Sequence, residues 1–136
     1  MTHAPHHFPL RIYYEDTDHG GVVYYANYLK YMERARTELM RDCGIELDQL
    51  QRDAGILFAV NEAHVHYRRP ARFNDALNVQ SDLVHARGAR LAFHQSVWRD
   101  DVLLVEAEIR LACMDIDGHA RRIPKSVLDK IAALLK

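Results

Sequence analysis

The turn between the first strand-like run and the long amphipathic segment constrains this chain more than any other part of it. Within residues 14–24, the carboxylates of Asp16 and Asp18 are followed by the pair Gly20-Gly21 and then by a helical pattern. The start of a helix concentrates unpaired N–H groups and a partial positive charge. A neighbouring acid can supply a base or nucleophile while those N–H groups stabilise an oxyanion. The sequence therefore predicts carbonyl chemistry at this turn.

The bulk composition is typical of a single soluble globular domain, and we predict one domain over residues 1–136. Charged residues make up 27 % of the chain and apolar residues 49 %, which are ordinary proportions for such a domain. The formal net charge is −1, so the chain lacks the basic excess that is usual in a general nucleic-acid binder.

The sequence also predicts residence in the cytoplasm. Cys43 and Cys113 belong to no ligand-spaced motif, so we expect two free thiols in a reducing compartment. The first eight residues contain no apolar segment of the kind found in signal peptides. No apolar run approaches the roughly 20 residues that a membrane span needs.

The N-terminal region divides into a polar tail and a strand. Residues 1–7 are polar and rich in histidine, and we expect them to form a disordered tail. From Phe8 onward the pattern alternates, with Phe8, Leu10, Ile12 and Tyr14 on one face, which predicts a half-buried strand.

A long amphipathic helix is predicted after the turn, ending near Cys43. Its apolar stripe recurs at steps of three and four residues and consists of Tyr28, Met32, Ala35, Leu39 and Cys43. Gly44 is a favourable stop, and Asn27 is a favourable N-cap. The sequence leaves open whether the free N–H donors begin at Asn27 or one turn earlier, near Val23.

The remainder of the chain is dominated by strands. A short helical turn lies between Ile45 and Gly55, and Pro124 to Lys136 reads as a closing helix. Strand-like runs cover residues 57–67, 76–86, 90–99 and 102–116. One helix cannot cover both faces of five strands, so the chain is predicted to be α+β, with an antiparallel sheet around the long helix. The far face and the edge of that sheet invite self-association.

The turn and the residues that follow it carry a family resemblance. The block Tyr13-Tyr14-Glu15-Asp16-Thr17-Asp18, then Gly20-Gly21-Val22-Val23-Tyr24, Tyr28 and Glu33-Arg34-Ala35-Arg36-Thr37-Glu38, closely resembles the YbgC-type acyl-CoA thioesterases. Pro70-Ala71-Arg72, Arg87-Gly88 and Ile123-Pro124-Lys125-Ser126 extend the agreement over nearly the whole chain. These enzymes belong to the 4-hydroxybenzoyl-CoA thioesterase branch of the hotdog superfamily. The resemblance implies a hotdog fold, with a helix wrapped by five antiparallel strands, paired into dimers and often tetramers.

The resemblance also implies roles for residues of the turn. Asp18 matches the catalytic carboxylate, which acts as nucleophile or general base on the thioester carbonyl. The main-chain N–H of Tyr25 matches the donor to the carbonyl oxygen. Gly20, Gly21 and Val22 are expected to bind substrate, because glycine allows a ligand to approach the main chain closely.

One position departs from the usual pattern of the YbgC-type enzymes. Many of them have histidine where this chain has Tyr25, whereas the 4-hydroxybenzoyl-CoA enzymes have tyrosine. A main-chain role survives this change, but any proton-transfer role of that histidine and the acyl preference stay open. His19 is adjacent, and the residues do not decide whether it compensates or is an exposed turn residue.

Coenzyme A carries a 3′-phosphate and a pyrophosphate, so its site requires cations. Candidates around the proline loop and the Gly88 turn are Arg68, Arg69, Arg72, Arg87 and Arg90. Arginine suits phosphate because its planar fork donates two hydrogen bonds at once. The family analogy favours Arg87 and Arg90 as the substrate-binding pair, reaching across a subunit boundary.

No metal or other cofactor is expected. The Asp16–Asn27 segment begins like a calcium-binding EF-hand loop, but Asn27 stands where such a loop requires a bidentate glutamate. His64 and His66 lie on one face of a strand without a third ligand at a suitable spacing, which favours two polar strand residues over a zinc site.

The predicted reaction is hydrolysis of an acyl-CoA thioester to a free acid and coenzyme A by a homotetramer. One alternative is a hotdog hydratase or dehydratase, although no motif-placed histidine accompanies Asp18. The other is a weakly active protein that binds acyl carrier protein or the Tol-Pal envelope system. YbgC-type genes lie beside the genes of that system. Acyl carrier protein is acidic, so the same arginines serve either carrier.

Overall fold

The protein consists of five strands and three helices in the order β1-α1-α2-β2-β3-β4-β5-α3, and the computed structural model describes residues 4–135. The strands are β1 His6–Arg11, β2 Leu57–Tyr67, β3 Ala76–Arg87, β4 Arg90–Arg99 and β5 Val102–Met114. The helices are α1 Asn27–Asp42, α2 Leu47–Ala54 and α3 Lys125–Ile131. Short 3-10 turns cover Tyr14–Asp16 and Ala132–Leu134.

All five strands form one antiparallel sheet with the order β1-β3-β4-β5-β2. The predicted antiparallel five-stranded sheet of an α+β fold is thereby confirmed. Strands β1 and β2 are its two edges, and one side of β2 is unpaired within residues 4–135.

The N-terminal strand differs from the prediction at both ends. It begins at His6, because His6 and His7 pair with Ser81 and Gln80 of β3 and His6 Nε2 bonds Asp42 Oδ2 at 2.7 Å. The predicted tail was therefore wrong for these two residues, and its first three residues lie outside the described range. Tyr14, predicted on the inner face of the strand, is instead 74 % exposed.

The misplacement of Tyr14 has a local cause. The Asp16 carboxylate accepts a 2.8 Å hydrogen bond from the Tyr13 N–H, which turns the chain into a 3-10 turn where the strand was expected to continue. The Tyr14 ring then stacks on Phe73 with the ring centroids 3.8 Å apart.

Helix α1 packs its apolar stripe against the inner face of the sheet. The predicted members Tyr28, Met32, Ala35 and Leu39 are buried, and Cys43 is half-buried. They share one hydrophobic core with inward side chains of the strands, among them Val79, Phe93, Val97 and Ile109. Burying such side chains stabilises the fold by roughly 1.5–3 kcal/mol each.

A polar network that the sequence did not predict crosses this core. Arg36 of α1 is only 8 % exposed and donates to Gln95 Oε1 at 2.8 Å. The Gln95 Nε2 group donates to the Met32 carbonyl at 3.0 Å and to Ser81 Oγ at 2.9 Å. The helix is thus joined to the sheet by hydrogen bonds as well as by apolar packing.

Candidate active site

The turn that carries Asp18 is a small closed loop. An isolated bridge joins Thr17 to Val23, and the Asp18 N–H donates to the Val22 carbonyl at 2.9 Å. The Gly21 N–H donates back to the Asp18 carbonyl at 3.1 Å. Gly21 has φ +76°, a left-handed conformation that favours glycine, so the glycine at this position closes the loop.

The Asp18 carboxylate is oriented by the same loop and remains accessible. Its Oδ1 accepts the Gly20 N–H at 2.8 Å, and the residue is exposed. Within residues 4–135, Oδ2 accepts no hydrogen bond. One carboxylate oxygen is therefore held and the other is available to a water molecule or a carbonyl carbon.

The loop is fixed to the start of α1 through the main chain of Asp16. The Asp16 carbonyl oxygen accepts the Tyr24 N–H at 2.9 Å and the Asn27 side-chain amide at 2.9 Å. Asn27 is therefore not the N-cap that its residue type predicted: Ala26 occupies that position without a side-chain bond. The Asn27 amide is used to hold the loop instead.

Unpaired main-chain donors lie at this junction. The N–H groups of Asn27, Tyr28 and Leu29 bond to carbonyls three residues earlier, so a tight turn precedes α1. Among the described residues, the N–H groups of Tyr25 and Ala26 have no acceptor. This resolves the alternatives left by the sequence: the free donors precede Asn27, and the Tyr25 amide is one of them.

The segment after β2 supports the loop from the other side. The Val23 N–H donates to the Ala71 carbonyl at 2.8 Å, and the Ala71 N–H donates to the Tyr28 hydroxyl at 3.0 Å. A bridge also joins Val22 to Arg72. Burial raises the pKa of Tyr28, so its phenol stays protonated at neutral pH.

A cavity of about 240 Å³ opens beside Tyr25. It is lined by Val23, Tyr25, Tyr28, Tyr67, Arg68, Arg69 and Pro70. The sequence analysis did not identify Tyr67 or the Tyr28 hydroxyl as part of this site. The one signal in the sequence was the position of Tyr67, directly before the Arg68-Arg69-Pro70 break in the strand pattern.

The arginine candidates fall into two separated groups. Arg72 is bridged to the Asp18 loop, and Arg69 lines the cavity beside Tyr25. Arg87 and Arg90 pair across the β3–β4 hairpin, at the far end of β3. At about 3.3 Å per residue, that strand of 12 residues separates the two groups by roughly 35 Å. One chain therefore does not bring Arg87 and Arg90 to Asp18.

Side chains of the types that ligate metals also lie in two places outside the Asp18 loop. Asp115, Asp117 and His119 form the one group within residues 4–135 whose ligand atoms lie close enough to share an ion. Asp115 already accepts the N–H groups of both other residues at 3.0 Å, as in an ordinary turn. On β2, His64 Nε2 bonds Glu62 Oε1 at 2.8 Å.

Comparison with known proteins places the chain in a family. Residues 13–131 match the model of the thioesterase-like superfamily. The acyl-CoA thioester hydrolase YbgC of Escherichia coli O6:H1 is 40 % identical over 123 residues, covering 89 % of this chain and 91 % of that protein. The acyl-CoA thioesterase YbgC of Haemophilus influenzae is 38 % identical over 109 residues, covering 80 % of each.

A solved structure shows the same architecture. The probable thioesterase from Bartonella henselae superimposes with a TM-score of 0.84 at 33 % identity, covering 89 % of this chain and all of that one. No helix within residues 4–135 of this chain is long and apolar enough to cross a membrane. By sequence and by fold, the chain belongs to the thioesterase-like hotdog superfamily and, within it, to the YbgC group of acyl-CoA thioester hydrolases.

Proposed function

We propose that this protein hydrolyses acyl-CoA thioesters at the junction of the Asp18 loop and helix α1. The observation that carries the proposal is the pairing of an accessible carboxylate on Asp18 with an unmatched main-chain donor at Tyr25. Membership of the YbgC group supports the same reaction.

The thioester carbonyl lies over the start of α1, with its oxygen facing the Tyr25 N–H. As the carbonyl carbon is attacked, negative charge develops on that oxygen, and the amide stabilises it. A single donor of this kind contributes about 3–4 kcal/mol. Gly20, Gly21 and Val22 form the wall that the substrate approaches, because the glycines leave the main chain accessible.

Asp18 supplies the other half of the chemistry by one of two routes. As a general base, it takes a proton from water, whose oxygen attacks the carbonyl and displaces the coenzyme A thiolate. As a nucleophile, its oxygen attacks directly, the thiolate leaves, and water hydrolyses the resulting mixed anhydride. Both routes consume one water molecule and release a free acid and a thiol. A correctly placed general base accelerates such a reaction by about 10²–10⁴-fold.

Coenzyme A recognition in this proposal requires more than one subunit. Arg87 and Arg90 are exposed and, within the described residues, make no side-chain hydrogen bond or ion pair, so their guanidinium groups are available to phosphates. Their distance from Asp18 within one chain is consistent with their binding coenzyme A at the site of a neighbouring subunit. Acyl carrier protein is an alternative carrier for the same arginines.

The proposed assembly is a homotetramer built from dimers. The 11-residue strand β2 has one unpaired side within the described residues, and such an edge favours pairing with another chain. Leu29 on α1 and Val60 on β2 are exposed apolar side chains, and both line one groove beside this strand. Light scattering is expected to give the tetramer mass, and a clean monomer contradicts the proposal.

We propose that the protein resides in the cytoplasm, the compartment that the sequence predicts. The free thiols of Cys43 and Cys113 suit a reducing compartment.

The decisive experiment measures thiol release from short, long and aromatic acyl-CoAs by the native protein and by Asp18→Asn. Asp18→Asn keeps the shape of the side chain and removes its charge, so release should collapse with the oligomer intact. Equal release by both proteins removes Asp18 from catalysis. A pull-down of acyl carrier protein that survives Asp18→Asn, without thiol release by either protein, supports the binding alternative.

A further inference from the structure

Tyr67, the last residue of β2, reaches the main chain at the proposed oxyanion site. Its hydroxyl donates to the carbonyl oxygen of Tyr25 at 3.2 Å, across 42 residues of sequence. Strand β2 thus contacts Tyr25, the residue whose N–H is the proposed oxyanion donor.

Few other contacts hold that carbonyl. Its other partner is the Tyr28 N–H at 3.4 Å, which is longer than an ordinary N–H···O hydrogen bond of 2.7–3.2 Å. Within residues 4–135, the hydrogen bond from Tyr67 is therefore the shorter of the two that the Tyr25 carbonyl oxygen accepts.

The Tyr67 ring is itself oriented by neighbouring rings, although the residue is 46 % exposed. It meets the Tyr25 ring edge-on, with centroids 6.1 Å apart and planes at 87°. It also packs against the Tyr28 ring at 5.7 Å, and the Tyr28 hydroxyl is tied to Ala71. Edge-to-face aromatic pairs at these distances are attractive, so the hydroxyl is presented in a defined direction.

The hydroxyl is also a dependable donor at neutral pH. Burial, together with the nearby Tyr25, raises the pKa of Tyr67. The phenol therefore keeps its proton at neutral pH.

We propose that Tyr67 is a positioning residue that holds the Tyr25 carbonyl. This bond fixes the peptide plane that follows Tyr25, which carries the Ala26 N–H, and so limits rotation of the Tyr25 backbone, whose own N–H faces the substrate carbonyl. The proposal rests on the proposed function, in which that N–H binds the oxyanion. Donors of this kind act because they are oriented before the reaction begins, and small displacements of a catalytic group lower the rate steeply.

The test is Tyr67→Phe, which removes one oxygen atom and keeps the ring. The loss of one hydrogen bond is expected to lower kcat for acyl-CoA hydrolysis about three- to ten-fold with KM unchanged. Binding of a coenzyme A thioether, which resembles the ground state, should not change. Binding of a coenzyme A trifluoromethyl ketone, which forms an oxyanion-like adduct, should weaken by the same factor as kcat.

Tyr14→Phe is the matched control, because the Tyr14 ring is stacked on Phe73 and its hydroxyl has no partner within residues 4–135. It should leave all of these values unchanged. Equal kcat in the native protein and Tyr67→Phe overturns the proposal. A change confined to KM and thioether binding also overturns it, because Tyr67 would then contact the substrate itself.

Asp18→Asn, measured in the same assay, separates this inference from the proposed function. If Asp18→Asn abolishes thiol release and Tyr67→Phe does not lower kcat, only the role of Tyr67 fails. If Asp18→Asn releases thiol normally, the proposed function fails first. Should Tyr67→Phe fold poorly, difluorotyrosine at position 67 keeps the hydroxyl and makes it more acidic. The alkaline limit of kcat should then move to lower pH, and an unmoved limit contradicts the proposal.

Discussion

The side-chain amide of Asn27 donates a 2.9 Å hydrogen bond to the carbonyl oxygen of Asp16, which also accepts the Tyr24 N–H. The first residue of α1 is thereby tied to the residue two positions before Asp18. This hydrogen bond, which we call the Asn27–Asp16 joint, sets the position of the Asp18 loop relative to the free N–H groups that precede the helix.

Asn27→Asp should weaken this joint while preserving the shape of the side chain. The substitution replaces a donor with an acceptor opposite a carbonyl oxygen, so the bond is lost and two oxygen atoms face each other. We expect a loss of about 1–3 kcal/mol in unfolding free energy and a fall of roughly ten-fold in kcat. Chemical denaturation and thiol release measure the two effects.

The control for Asn27→Asp is Gln49→Glu on α2. It adds the same charge at an exposed residue whose side chain has no partner within the described range. A native kcat in Asn27→Asp would show that the joint does not position the loop.

Gly20→Ala should lower activity without lowering stability. A Cβ at Gly20 would lie 3.3 Å from Asp18 Oδ1, a close contact that displaces the carboxylate. Gly20 does not have a positive φ, so alanine adds little backbone strain. We expect kcat to fall about ten-fold with an unchanged melting temperature.

Gly118→Ala is the opposite case and serves as the control. Gly118 has φ +87° with open space around it, so alanine should cost about 1 kcal/mol of stability and leave kcat unchanged. Normal activity in Gly20→Ala would mean that the carboxylate tolerates the contact.

Gln95→Leu should destabilise the protein strongly. The Gln95 side chain is fully buried, and its Oε1 accepts a hydrogen bond from the Arg36 guanidinium. Burial already lowers the pKa of Arg36, and leucine would leave this buried cation without its amide partner. We expect a loss of about 3–5 kcal/mol, measured by urea denaturation.

Gln80→Leu makes the same replacement on the neighbouring strand β3, where Gln80 is only half-buried, and should change stability little. If the two variants unfold at the same urea concentration, the network around Arg36 contributes no specific stability.

The stability of the native protein should fall in acid partly through Glu106. Hydrogen bonds from His94 and then Arg68 hold the pKa of Glu106 below its ordinary value of 4.5. A carboxylate with a lowered folded-state pKa contributes stability above its unfolded-state pKa and loses it as pH falls through the folded-state value. Glu106→Gln should therefore flatten the decline of unfolding free energy below about pH 4.5.

Glu108→Gln is the control for this pH dependence. Glu108 lies two residues further along the same face of β5 and has no side-chain partner within residues 4–135. If its acid profile changes as much as that of Glu106→Gln, the ion pairs of Glu106 are not the cause.

Local patterns in the sequence explain the parts of the fold that it predicted well. The strand-like runs predicted at residues 57–67 and 90–99 match the bounds of β2 and β4, and the apolar stripe along α1 identified most of its buried face. Asp18 stood out because its loop is encoded by consecutive residues. Tyr14 was misplaced because a single Asp16 side chain ended the strand early, and alternation carries no signal for such a bond.

Only the tertiary structure decided which distant residues meet at that loop. The length of β3 separates Arg87 and Arg90 from Asp18. The folded sheet places Tyr67 against Tyr25. It also places Ala71 against Tyr28 and Val23. Turn chemistry and hydrophobic periodicity act between near neighbours, so the sequence by itself determined the elements and the Asp18 loop. The pairing of strands joins residues more than 40 positions apart, and only the folded sheet determines which side chains reach the loop.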